Sequence, residues 1–127
     1  MKTKMKFTFK KFKEKIYGVE VWLVYDISAE DFKKFLEQKR IKVAKSEIIN
    51  DTTAMCFEIQ EAKDNTYFYI IWLEKGKDFY SLVHECIHLV KHIFVNRGIK
   101  FDANNDEQIA YYHEYWVKQF WHAIGKK

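Results

Sequence analysis

The chain has 127 residues, 48% hydrophobic and 18% aromatic, with a net charge of +4, a composition that suits one domain with a substantial core. No apolar run reaches the roughly eighteen residues that span a bilayer, and no apolar segment follows the N-terminal lysines, so neither a membrane span nor a secretory signal is expected. Cys56 and Cys86, the only cysteines, lack metal-ligand or CxxC spacing and read as small buried hydrophobes in a reducing, cytoplasmic compartment.

In chain order, Lys2 to Phe9 alternates lysines with Met5, Phe7 and Phe9, the pattern of a half-buried strand with a basic outer face. Those lysines are read as protection of a sheet edge rather than as a phosphate-binding patch, and nucleic acid is not expected as a partner. Gly18 to Asp26 reads as a second strand, with Val19, Val21, Leu23 and Tyr25 on one face. Ser28 caps a short helix whose core stripe is Phe32, Phe35 and Leu36. Residues 41–51 carry no clear pattern. Thr53 to Gln60, with Met55, Phe57 and Ile59 on one face, pairs across a turn at residues 62–65 with Thr66 to Glu74.

Asp78 is a good N-cap after a glycine-containing turn. From Phe79 to Phe94 apolar residues recur at helical spacing until Asn96-Arg97-Gly98 supplies a stop. The helix, roughly residues 79 to 97, is apolar enough to run through the core, which predicts buried positions for its histidines. It contains His84-Glu85-Cys86-Ile87-His88, a match to H-E-x-x-H. Residues four apart share a helix face, with Cβ atoms about 5–6 Å apart. Two neutral imidazoles so placed can hold one tetrahedral zinc ion, and the intervening carboxylate can take a proton from its water.

A catalytic zinc usually has three protein ligands and a water. His92, Asp102, Asp106, Glu107, His113 and Glu114 are available. His92 lies about 12 Å along the axis from His84, too far to share its ion comfortably. Glu107 is the better candidate, with Glu114 or His113 in reserve. Asn105 reads as the N-cap of a last helix running to about Ile124, with Gln108 at the capping-box position and Glu107 in the first turn.

H-E-x-x-H followed after residues 89–106 by a glutamate opening a second helix resembles the gluzincin metallopeptidases. The run Asn105-Asp106-Glu107-Gln108-Ile109-Ala110-Tyr111 is similar to the glutamate-helix pattern of compact phage-borne or bacterial gluzincin-like proteins. The resemblance covers roughly residues 66 to 124. It implies zinc bound by His84, His88 and Glu107, with Glu85 as general base and Ala110 as a small residue at a helix contact. It also implies that Thr66 to Leu73 forms the edge of a cleft to which peptide adds as a further strand. Larger gluzincins take an oxyanion-stabilising histidine or tyrosine from a further domain; Tyr111 is the nearest candidate here.

The expected architecture is a single zincin-like α+β domain over residues 1–127. It has a small, mostly antiparallel sheet, helices on one face, and a metal helix followed by a glutamate-bearing C-terminal helix. The expected function is zinc-dependent hydrolysis of a peptide bond in an intracellular protein. The alternatives are a catalytically inactive zinc protein acting on a protein partner, such as a phage-encoded inhibitor, and last a nucleic-acid-associated protein using its basic N-terminus.

Overall fold

Four segments of apolar patterning form one sheet in the computed structural model, which describes residues 6–42, 52–61, 63 and 66–125. The strands are β1 (Thr8–Glu14), β2 (Val19–Tyr25), β3 (Ala54–Glu61) and β4 (Thr66–Leu73), in spatial order β1-β2-β4-β3. β1 pairs antiparallel with β2, and β3 antiparallel with β4, while β2 and β4 are parallel. The helices are α1 (Ala29–Gln38), α2 (Phe79–Asn96) and α3 (Asp106–Gly125), with a 3-10 turn at Ala103–Asn105 before the last. The fold is therefore α+β around a mixed sheet. Residues 1–5, 43–51 and 126–127, and part of the turn at 62–65, lie outside the described residues; the strand predicted over Lys2 to Phe9 overlaps β1 at Thr8 and Phe9, and β1 runs on to Glu14.

The sequence predicts helices on one face of the sheet; the structure places them on both. Val19, Val21, Leu23 and Tyr25 of β2 and Tyr69, Ile71 and Leu73 of β4 pack under α2 and α3. Trp22 and Val24, with Phe68, Ile70 and Trp72, pack instead with α1 through Phe32, Phe35 and Leu36. The physical reason is that β2 and β4 are apolar on both faces, and each face needs a cover.

Local signals set the helices. Ser28 accepts the Asp31 backbone N–H at 3.1 Å, and Asp78 accepts that of Ser81 at 3.2 Å, as the caps predict. Gly98, at φ 70°, ends α2, and the Ile99 N–H reaches back to the Phe94 carbonyl at 2.8 Å, a left-handed cap that suits glycine. Gly76 brings the turn before α2 against Tyr25, where a Cβ would stand 2.5 Å from the ring. Asn105 departs from prediction: its side-chain amide donates to the Lys100 carbonyl at 2.6 Å, and Asp102 is the cap, of the 3-10 turn. Among the described residues no helix is long and apolar enough to cross a membrane.

Candidate metal centre

The stripe of α2 that faces the sheet and α3 is Leu82, Cys86, Leu89, Val90, Ile93 and Phe94, all fully buried. Each helical residue turns by about 100°, so His84 and His88 fall on the other side. Both are exposed, which corrects the expectation of buried histidines. The helix does pass through the core, but only by one face.

The two imidazoles meet over that exposed face, with Nε2 atoms 3.2 Å apart and ring centroids 4.9 Å apart. Two nitrogens bonded to one tetrahedral zinc at about 2.0–2.1 Å stand about 3.3 Å apart. The separation also fits one ring donating its N–H to the other, so a metal would replace that proton. Partial burial and the neighbouring cationic side chains hold His88 below the ordinary histidine range, which favours the neutral, ligating form.

Glu85, about 100° round the helix from His84, turns toward β3 and is 8% exposed. Burial raises its pKa above the usual glutamate range, opposed by His84 and by a hydrogen bond from the Cys56 backbone N–H. That donor defines the register of the edge strand. Thr53, just before β3, gives its carbonyl to the Glu74 N–H at 2.8 Å, so odd-numbered positions face β4. Even-numbered ones, Cys56 among them, direct their backbone groups outward past α2.

Among the described residues β3, not β4, is thus the edge strand beside the histidines. The predicted cleft strand Thr66–Leu73 is internal, paired with β2 on one side and β3 on the other, because both its faces and both its edges are needed by the core. Farther along the same flank, His92 Nδ1 lies 3.6 Å from Glu58, and Asn96 donates to Glu58 and, at 2.8 Å, to the Tyr69 hydroxyl. Sequence reasoning missed this network. Its only signal was Glu58 falling on the face of Ala54 and Cys56, opposite Met55, Phe57 and Ile59.

Glu107 is exposed in the first turn of α3, and the structure does not bring it to the histidines. α2 and α3 run antiparallel, Phe79 meeting Trp121 and Phe94 meeting Tyr112. Glu107, before Tyr112, therefore lies toward the far end of α2 from His84. The α3 side of α2 is marked by Val83, whose carbonyl receives His113 Nε2 at 2.9 Å; His84 is one helical step away from that contact. Of the reserves, His113 is engaged there and Glu114 pairs with Lys118 at 2.6 Å. Tyr111 is 69% exposed. Among the described residues, no three His, Cys, Asp or Glu side chains form a group able to hold a metal. The donor set thus fits two positions of a tetrahedral ion, and the three-ligand set of His84, His88 and Glu107 is not assembled.

The chain matches no family model, no curated protein and no solved structure.

Proposed function

We propose that the protein is a zinc-dependent metallopeptidase of the H-E-x-x-H kind, its ion held by His84 and His88, that cleaves an extended segment of an intracellular protein. The observation that supports this most is the pair of facing imidazoles, Nε2 to Nε2 3.2 Å, one turn apart around a carboxylate that is 8% exposed. His84 and His88 would hold the ion through neutral nitrogens. Bound zinc would supply Lewis acidity at the scissile carbonyl and lower the pKa of water toward about 7. Glu85, its proton affinity raised by burial, suits a base that accepts a proton and returns it to the leaving amine. The outward backbone groups of β3 offer an extended substrate a strand to pair with.

The lack of a third protein donor among the described residues favours a second reading, in which the same two histidines bind a metal whose shell a partner protein completes and no turnover occurs. One experiment separates the two. Protein purified without added metal is assayed for zinc by elemental analysis and for cleavage of an unfolded protein, beside His84→Ala and Glu85→Gln. The peptidase reading expects zinc in wild type and Glu85→Gln, none in His84→Ala, and turnover lowered about 10²- to 10⁴-fold by Glu85→Gln. Zinc without cleavage in wild type selects the second reading, and zinc retained by His84→Ala overturns both.

A further inference from the structure

On the opposite side of the sheet from the histidines, a groove of about 460 Å³ opens where α1 ends. Its floor includes Trp22 and Phe68, whose rings lie 4.7 Å apart. Lys39, Arg40 and Lys42 line it from the α1 end, and Lys63 and Glu61 from the β3 side. Lys11 extends the basic rim from β1: it pairs in register with Trp22, and its Nζ stands 4.8 Å from the indole centroid. Lys39 is likewise held over Phe9, at 5.4 Å.

Three features set this groove apart from ordinary solvated charge. All five cations are exposed, and among the described residues none has a carboxylate partner. Glu61 is the one acid lining the groove, while Glu20, across β1 from Lys13, is occupied by the Trp22 indole N–H at 2.6 Å. Arg40 also takes a left-handed backbone, φ 58°, at the end of α1, where glycine is the favoured residue. A guanidinium is thereby carried at a position that local backbone preference would give to a residue with no side chain.

We propose that this groove binds the sugar–phosphate backbone of single-stranded nucleic acid. Cations on facing walls match the phosphates of a single strand laid between them, the charged track that such strands use, while Trp22 and Phe68, 9% and 8% exposed, close the floor beneath it. A duplex is convex and would meet only the rims. The edge-protection reading of the N-terminal lysines does not account for Lys11, which shares the Phe9 ring with Lys39 and stands over the groove's Trp22. The inference is independent of the metal centre, since the groove lies on the α1 face.

The test is fluorescence anisotropy of a labelled oligothymidylate with the full chain between about 50 and 200 mM salt. The same measurement is made with a duplex and with anionic phospholipid vesicles. Binding of the single strand should weaken with salt. Lys42→Glu with Lys63→Glu should lower affinity roughly tenfold and flatten the log–log salt slope by about 1.4, from about 0.7 per lost phosphate contact. Lys77→Glu with Lys100→Glu, an equal charge change at exposed sites elsewhere, should leave both nearly unchanged. Lys→Gln versions of the first pair guard against misfolding caused by charge reversal. No binding at low salt, an equal loss in the control pair, or preference for the duplex or the vesicles overturns the proposal.

Discussion

Two buried glutamates, Glu14 of β1 against α3 and Glu85 of α2 against β3, face the same problem of a carboxylate out of water and solve it differently. Glu14, at the end of β1, is 4% exposed. It accepts the Tyr17 backbone N–H at 3.0 Å and the Tyr112 hydroxyl, within an aromatic cluster of Tyr17, Phe94, Tyr112 and Trp116. Glu85 is 8% exposed with a backbone donor from Cys56, and its proton affinity is raised. Burial with several donors fixes a carboxylate as a structural pin. Burial with few leaves it ready to take a proton, and only Glu85 borders a histidine pair. On this contrast the α3 flank of α2 carries cohesion, and the β3 flank is where the proposed chemistry would lie.

The largest effect that could break this contrast is on stability at Glu14. Glu14→Ala orphans the Tyr112 hydroxyl in the core and removes one of the links from β1 to α3. Loss of one partner of a buried hydrogen-bonded group predicts a destabilisation of about 3 kcal/mol in urea unfolding. Tyr112→Phe keeps the ring packing and leaves Glu14 with the Tyr17 donor, so about 2 kcal/mol is expected. If both changes cost less than Glu85→Gln, Glu14 is not the pin.

Glu85 predicts a smaller effect with a definite sign, read in protein stripped of metal by a chelator. Below the ordinary glutamate value, about 4.3, folded and unfolded chains both hold the proton and burial carries no charge penalty. As pH rises past that value the unfolded chain releases its proton first. The folded chain, with its raised pKa, still holds one, so stability falls with pH until the folded group has also ionised. Glu85→Gln should remove this downward slope and be neutral to slightly stabilising near pH 7. Unfolding midpoints from pH 4 to about pH 8 check it, and a slope that survives the substitution refutes the assignment.

What the sequence disclosed follows the range of the forces involved. The caps at Ser28 and Asp78, the stop at Gly98 and the β3–β4 pairing were all legible, because each depends on neighbours within a few residues or on one alternating pattern. The parallel pairing of β2 with β4 and the placing of α1 on the second face were not, since they arise from contacts between distant segments. At the site, the i, i+4 spacing gave the meeting of His84 and His88 outright. The outward direction of that pair depended on which α2 stripe the sheet would claim. The apolar residues beside the histidines (Leu82, Cys86 and Leu89) decided it.

The smallest predicted effect tests the α3 flank directly. Glu107 shares its helix with Tyr112, and the Glu14–Tyr112 bond together with the Phe12–Phe120 ring contact at 5.0 Å ties that helix to β1, away from β3. With α3 so anchored, Glu107 cannot approach the imidazoles without breaking the cohesion described above. Glu107→Gln should therefore change zinc affinity, measured by competition with a chromogenic chelator, by less than about twofold, whereas loss of a true ligand costs far more than the roughly 10- to 100-fold typical of outer-shell partners. A large loss would mean that α3 swings over when metal binds. In that event Tyr112→Phe, by loosening the anchor, should strengthen zinc binding, an outcome that a fixed α3 does not allow.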